Sequence, residues 1–323
     1  MHVRQYQAGD ETALATIHNK AFQHLIHRLP EIYQLRNVGS EDVQDWLKQG
    51  SNMLWIIEST DQIIGYAQIR IEVEHGKRDV SVLQFMPAQK WDLAQTNIAI
   101  LPEYQKRGIG TLLVEEILEK YRGTAELASA HTFSDNIAGE RFFSSLGFTM
   151  HDAFYYPPFS DKYPIANSSI YETLEFEHLT APRNLNPNVT IRRATVDDAA
   201  VVAEIHEQNV WWCDECNSLE WSIRFIKGKY GHTVFVAEID AEVAGSIDYY
   251  RDGRIGISGV LPEYKRRGIG STMFYKIMKV MKKAGFKSAF VDSGLTQSEA
   301  IGMYAEFGFT IQRRQNAWIK KLM

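Results

Sequence analysis

Apolar and polar positions along this chain run in two matching series. After residue 110, Leu113, Val114, Ile117, Leu118 and Tyr121 recur at three- and four-residue spacing, and after residue 270 Met273, Phe274, Ile277, Met278 and Met281 do the same. That period predicts a helix with one buried face in each place. Ahead of each helix stands the same stretch: LPEYQKRGIG at 101–110 and LPEYKRRGIG at 261–270, identical at eight of ten positions and offset by 160. The likeness extends outward. VRQYQAGDETALATIHN (3–19) matches IRRATVDDAAVVAEIHE (191–207), and WIIESTDQIIGYAQI (55–69) matches FVAEIDAEVAGSIDY (235–249) with Gly65 on Gly245. RFFSSLGFTM (141–150) matches GMYAEFGFTI (302–311). The offsets of 188, 180, 160 and 161 place extra residues in the first copy, mainly at 70–92. Two copies of one domain are predicted.

Each copy predicts the same order of elements. A short strand (3–6; 190–193) leads into a helix over 10–22 or 197–209. Asp10, and Asp197 or Asp198, stand in its first turn, where a carboxylate meets the positive end of the helix dipole. After a variable helical stretch, two apolar runs flank an aspartate-bearing turn and predict a hairpin: LWIIES with IIGYAQIRIEV, and TVFVAEI with EVAGSIDYY. The next strand ends at Pro102 or Pro262, before the basic turn and its helix. A further strand (TAELASA; SAFVDS), a helix (137–146; 298–307) and an aromatic, β-branched segment close the copy. Strands and helices alternate, so the fold class is α/β, with helices covering a central sheet. HLTAPRNLNPN at 178–188 carries two prolines and reads as a linker between domains at 1–177 and 189–323.

Length and charge agree with that division. The chain has 323 residues, 45% of them hydrophobic and 23% charged, which fits two soluble globular domains. A net charge of −5 argues against a nucleic-acid partner. No apolar run approaches the roughly 18 residues that span a membrane, and MHVRQYQAGDETALATIH has no signal-peptide core, so a cytoplasmic protein is expected. Cys213 and Cys216 form a C-x-x-C pair without the second pair of a structural zinc site, and read as two reduced thiols; no metal is assigned.

The repeated turn carries the chemistry. Gly108 and Gly268 lack a Cβ, so the backbone is free to adopt unusual angles and to approach a ligand closely. Successive N–H groups at a helix N-terminus favour an anion. Gln105, Lys106 and Arg107 in the first copy, and Lys265, Arg266 and Arg267 in the second, add donors suited to a pyrophosphate. The Walker spacing is absent, and the dinucleotide fingerprint lacks its third glycine in both copies.

The [QR]-x-x-G-x-[GA] turn after a strand and P-E-Y resembles the acetyl-CoA loop of the GCN5-related N-acetyltransferase (GNAT) family. The later N-x-x-A-x-x-x-[YF]-x-x-x-G-F pattern resembles the same family, and each copy matches it at all but one position, so the resemblance covers nearly the whole chain. The tandem arrangement is similar to that of mycothiol synthase. The resemblance implies two tandem GNAT-like domains, each a mixed, mostly antiparallel sheet flanked by helices, with acetyl-CoA as cosubstrate. It implies that Gly108, Ile109, Gly110 and Thr111, and Gly268, Ile269, Gly270 and Ser271, offer amides to the CoA pyrophosphate. It also implies that the strands ending near Ile100 and Val260 splay from their neighbours to hold the acetyl-pantetheine arm.

The copies differ in equipment. The family tyrosine that protonates the departing thiolate lies four residues before the final Gly-Phe: Tyr304 in the second copy, Phe143 in the first. A phenol with a reference pKa of about 10 can supply that proton; phenylalanine cannot. The family asparagine is Asn136 in the first copy and Gln297 in the second, and the first copy has Gly139 where the family has alanine. The second domain is therefore expected to catalyse and the first to be degenerate. The strand before the turn holds no glutamate in either copy, which leaves Asp248 and Asp292 as candidate bases for the amine. Trp211, Trp212 and Trp221 among Asp214, Glu215 and Glu220 fit a cationic acceptor, with Trp211, Trp212 and Glu215 the candidate contacts. The first copy offers His24, His27 and Arg28 instead. The expected activity is transfer of an acetyl group from acetyl-CoA directly to a primary amine of a small molecule or peptide; the alternative is a non-catalytic CoA-binding or regulatory module. Oligomeric state is left open.

Overall fold

The structure is a computed structural model that describes residues 1–26, 37–48, 52–60, 62–70, 83–85, 98–155, 166–209, 217–229 and 231–322. The chain divides into two compact units, one of residues 1–169 with 314–323 and the other of residues 170–313. Among the described residues no helix is long and apolar enough to cross a membrane.

The first unit opens with β1 (His2–Gln5), α1 (Glu11–Ile26), α2 (Ser40–Lys48), β2 (Asn52–Ser59) and β3 (Gln62–Arg70). β4 (Leu83–Phe85) and β5 (Ile98–Ile100) follow, then α3 (Ile109–Tyr121), β6 (Leu127–Phe133), α4 (Ile137–Ser145) and β7 (Thr149–His151). A small hairpin, β8 (Ala153–Phe154) with β9 (Ala166–Asn167), ends its first stretch of chain. One antiparallel sheet has the order β1-β2-β3-β5. β6 lies outside that sheet. It pairs in parallel with β4, and antiparallel with residues 315–321.

The second unit begins at β10 (Ser169–Glu175) and continues with β11 (Thr190–Arg193), α5 (Ala199–Asn209), α6 (Leu219–Ile226), β12 (His232–Ile239), β13 (Glu242–Tyr250) and β14 (Ile255–Val260). α7 (Ile269–Lys283), β15 (Ser288–Gly294), α8 (Ser298–Phe307) and β16 (Thr310–Lys321) complete the chain. Its antiparallel sheet has the order β11-β12-β13-β14, the same topology as β1-β2-β3-β5, and β15 has β10 as its neighbour. The expected domains at 1–177 and 189–323 differ from this division in two places: 170–177 is part of the second unit, and 314–323 part of the first. Strand pairing rather than chain order draws the line, because each buried strand edge needs backbone partners.

The repeat read in the sequence is a repeat in register. Ile57 faces Gly65 and Gly65 faces Ile100; Ala237 faces Gly245 and Gly245 faces Val260. Both hairpins carry a register shift at the same place, after Ile57 and after Ala237. A Cβ on Gly65 would stand 2.8 Å from Ala99 O, and one on Gly245 2.7 Å from Gly259 O. These glycines let the hairpin close onto the strand that leads to the turn.

A second matched device anchors each first strand. The Arg4 guanidinium donates to both oxygens of Asp10 at 2.8 and 2.9 Å and to Glu58 at 2.8 Å. Arg192 donates to Asp198 at 2.7 and 2.8 Å and to Glu238 at 2.8 Å. Asp198 also accepts from the Thr195 amide at 2.8 Å, so one carboxylate ties β11 to the start of the following helix. Arg192 holds the Asp198 carboxyl at about 2, below its ordinary 3.8. That contribution to stability is present above the ordinary value and is lost as pH falls toward about 2. Asp198→Asn is expected to lose about 1–2 kcal/mol at neutral pH, a range lowered for the half-exposed Arg192. Urea melts should show the gap from the parent constant above about pH 5 and narrowing between about pH 4 and about pH 2.

Candidate active site

Both basic turns have the same backbone. Lys106 and Gly108 take φ of 58° and 76°, and Arg266 and Gly268 take 62° and 72°. A left-handed non-glycine residue costs about 1–2 kcal/mol, so a lysine and an arginine held there mark a fixed turn. Gly108 and Gly268 cap α3 and α7 without any side-chain hydrogen bond, which leaves the first-turn amides to a ligand. Ile109 and Ile269 are buried and peg the turns to the cores, so they contribute only main-chain groups. Lys106, Arg107, Lys265, Arg266 and Arg267 are exposed. The Gln105 amide is already engaged, donating to Ile100 O at 2.8 Å, and acts as a brace on the end of β5. Thr111 and Ser271 are half-buried in the first helical turns.

The surroundings of the two turns differ. In the second unit the linker runs along α7. Asn186 N–H donates to Thr272 Oγ1 at 2.7 Å, and the Asn186 amide donates to Arg267 O at 3.0 Å. A Cβ on Gly268 would stand 2.5 Å from Asn184 O, so that flank of the turn is covered. Gly270 has only Val260 Cγ2 nearby, at 3.8 Å from its missing Cβ. The first unit reverses this pattern. Gly108 has open space, whereas the missing Cβ of Gly110 lies 3.3 Å from the Phe142 ring. On its Gly270 and Ser271 side the second turn is open to an anion: only Val260 Cγ2 approaches Gly270, and exposed cations stand in the turn.

The strand that leads into the second turn makes few pairings on its far edge. β14 ends one sheet, and it meets β15 in only a single parallel bridge, Arg254 with Phe290. From there to Val260 it pairs only with β13. Within the second unit, α8 carries Tyr304, β15 carries Asp292 and Ser293, and β10 carries Glu172. Tyr304 is buried on α8, with its ring 5.1 Å from Phe274 and 5.6 Å from Phe309. Among the described residues its hydroxyl has no protein hydrogen-bond partner. Burial raises the phenol well above its ordinary 10, and the charges of Asp292 and Glu172 raise it further. Asp292 is exposed on β15, yet crowding by the surrounding protein raises its carboxyl. Glu172, on β10, is only 2% exposed. Burial pushes it up to about 7, and among the described residues its one hydrogen-bond contact is a long one of 3.5 Å from Ser293 Oγ.

The same positions in the first unit hold a different set. Phe143 replaces Tyr304, Thr132 replaces Ser293 and His131 replaces Asp292 at the offset of 161. Trp318 takes the place of Glu172: its indole donates to Thr132 Oγ1 at 2.8 Å and its ring stacks on Phe143 at 6.5 Å. Asn136 caps α4 by accepting from the Gly139 amide at 3.0 Å. A Cβ on residue 139 would stand 2.7 Å from the Asn136 amide nitrogen, which accounts for glycine there. Gln297 turns back to accept from the Gly294 amide at 3.0 Å, and Ala300 keeps its methyl. Asn136 and Gln297 thus shape the entry of the helix through protein contacts.

Asp248 lies on the opposite face of β13 and is fully buried. It fits because Gly256 has no Cβ: one there would stand 2.4 Å from an Asp248 oxygen. The β13–β14 register shifts at this point, between Ile247 and Tyr249. Burial pushes the carboxyl up to about 8; the Arg254 charge and the Ile257 amide oppose the rise weakly, and neither oxygen has a partner in good hydrogen-bond geometry. Arg254 sits 4.0 Å from the centre of the Tyr250 ring. Nearby, His206 makes edge contacts with Trp221 and Phe225. Trp211, Trp212 and Glu215, the candidate acceptor contacts, and Cys213 and Cys216 lie outside the described residues, as do His27 and Arg28.

Glu172, Ser293 and Trp318 were missed from the sequence. The signal for Glu172 was present: in SIYETLE it falls in step with Ile170 and Leu174, so a carboxylate occupies a core position of a strand.

Comparison with known proteins agrees with this geometry. A model described as the acetyltransferase (GNAT) family matches residues 14–148 and 200–309. A tandem GNAT protein from the clavulanic acid biosynthesis pathway superposes with a TM-score of 0.66 at 13% identity, covering 100% of this chain and 98% of that one. A GCN5-related N-acetyltransferase from Sphaerobacter thermophilus gives 0.63 at 14% identity, covering 99% and 95%. Both show likeness of fold. An N-alpha-acetyltransferase of Sulfurisphaera tokodaii is 29% identical over 97 residues, which span 25% of this chain and 58% of that protein.

Two outcomes test the site. Gly108→Ala and Gly268→Ala each place a Cβ at positive φ and should each cost about 1–2 kcal/mol. Gly268→Ala should lower the melting temperature further, since its methyl also meets Asn184 O. Asp248 is ionised in the unfolded chain above its ordinary 3.8 but held neutral in the fold up to about 8, so across that window its burial costs more stability as pH rises. Asp248→Asn should therefore gain on the parent between about pH 5 and about pH 8, as read from denaturant midpoints.

Proposed function

The chain belongs to the acetyltransferase (GNAT) family, and from that premise we propose that its second unit transfers an acetyl group from acetyl-CoA directly to a primary amine of a small molecule or peptide. The observation that carries this reading is the contrast around α8 and α4. The second unit sets a buried phenol beside two carboxyls next to separating strands, while the first fills the same positions with Phe143 and Trp318. The thioester supplies an activated acetyl group when bound. Lys265, Arg266 and Arg267 balance the pyrophosphate charge, and the amides from Gly268 to Ser271 orient it. Val260, half-buried at the end of β14, flanks the acetyl-pantetheine arm, as Ile100 does in the first unit.

An amine attacks only when neutral, so a base must take its proton. Asp292 is the accessible carboxylate in contact with the field of Tyr304, and we assign it that role. Asp248 is closed off from solvent and neutral near physiological pH; it shapes the acceptor face rather than accepting the proton. Tyr304 gives its proton to the leaving sulfur. No step calls for a cysteine or serine nucleophile. The first unit, with a ring against Gly110 and no phenol, is a degenerate copy that does not catalyse.

Release of free thiol from acetyl-CoA, assayed against a panel of amines, peptides and amino-sugars, tests the proposal. Tyr304→Phe should lower kcat by about 100-fold or more while acetyl-CoA still binds, and Phe143→Tyr should leave turnover unchanged. Binding of acetyl-CoA without thiol release for any acceptor would instead make the protein a binding module.

A further inference from the structure

The proposed chemistry leaves one difficulty at Tyr304. Burial and two neighbouring carboxyls raise the phenol far above its ordinary value, so a tyrosinate formed there after proton donation is a costly species. It must be reprotonated before the next turnover. The residue placed to do this comes from a part of the sequence that belongs to the first repeat. β10 stands beside β15 in the second unit, and its side chains at 170, 172 and 174 all turn into the protein. Leu174 and Tyr304 belong to the same apolar cluster, and Glu172, 2% exposed, shares the face of β10 that Leu174 turns into that cluster. Among the described residues this core carboxyl has only the long contact to Ser293, which does little to offset its burial.

We infer that Glu172 is the proton store behind Tyr304 and thus a positioning residue of the second unit's site. The inference rests on the acetyltransferase reading above. In the step, the amine nitrogen forms a bond to the acetyl carbon as the carbon–sulfur bond breaks. The electron pair leaves on sulfur, and the Tyr304 hydroxyl proton passes to it. The Glu172 carboxyl proton then passes to the Tyr304 oxygen, and the carboxylate regains a proton from water between turnovers. Protons balance: the amine loses one to the base, and the thiol gains one through Tyr304. A carboxyl near neutrality is suited to this cycle, since it gives and regains a proton at similar ease. The first unit is consistent with the pairing, because the phenol and the carboxyl are lost together there, to Phe143 and Trp318.

The test is a double-mutant cycle on the full chain, read as kcat and as acetyl-CoA dissociation constant. Glu172→Gln keeps the shape and removes the exchangeable acid. It should lower kcat by about 10- to 100-fold with acetyl-CoA affinity within about twofold of the parent, and Glu172→Asp should restore part of the rate. If Glu172 acts through Tyr304, then Glu172→Gln added to Tyr304→Phe should slow the enzyme no further. Unchanged kcat in Glu172→Gln, or the same loss with and without Tyr304, overturns the inference while leaving the acetyltransferase reading intact. A parent protein that transfers no acetyl group to any amine overturns both. Should Glu172→Gln fail to fold, Glu172→Leu, apolar and of similar size, removes the acid in its place and carries the cycle, with a kcat loss confined to the Tyr304 background expected and no loss overturning the inference.

Discussion

Every β-strand carries two rows of backbone N–H and C=O groups, and in the second unit β14 and β15 face each other without pairing beyond Arg254 and Phe290. A sheet opened in this way can admit an extended ligand arm, but β15 must then be held from its other edge. β10 does this, and it originates before the linker. In the first unit the corresponding strand, β6, is held by residues 315–321 at the end of the chain. The opening of the sheet and the completion of each unit by a distant strand are two sides of one backbone requirement.

That requirement decides which side chains stand behind α4 and α8. The residue β10 turns inward at 172 reaches Ser293; the one that 315–321 turns inward at 318 reaches Thr132 and Phe143. Glu172 and Trp318 therefore give two copies of one architecture opposite characters. An indole stacked on a phenyl ring stabilises by burying apolar area and satisfies its own N–H on Thr132. A carboxyl in the equivalent place has its charge penalised by burial and is left with little compensation. Such a residue weakens the fold locally, and its retention beside a phenol fits a site that moves protons.

Much of the framework was legible in the sequence because it depends on local geometry. The glycines at 65 and 245 were aligned by sequence alone, and the structure shows why: a carbonyl from the neighbouring strand stands under 3 Å from where each Cβ would be. The turn at 105–111 and 265–271 was legible because left-handed backbone and an open helix N-terminus need glycines at fixed spacing. The Arg–Asp–Glu clamp was only half visible. Asp10 and Asp198 read as first-turn carboxylates, whereas their arginine partners and Glu58 and Glu238 are brought in by strand pairing. The difference between Gln105, used as a brace on Ile100, and the exposed Lys265 also needed coordinates, since both are plausible phosphate donors on paper.

The sequence by itself determined that the domain is duplicated, that each copy ends a strand in a basic, glycine-bearing turn that opens a helix, and that Tyr304 has no counterpart in the first copy. Those facts rest on periodicity, backbone conformation and residue chemistry within a few positions of one another. Only the tertiary structure decided that residues 170–177 complete the second unit and 314–323 the first, and so placed Glu172 against Ser293 and Trp318 against Thr132 and Phe143. Local pattern says that a segment is a strand and which of its faces is buried. Which edge it joins depends on the hydrogen bonds left unmet on a strand more than a hundred residues away, and no local pattern encodes that.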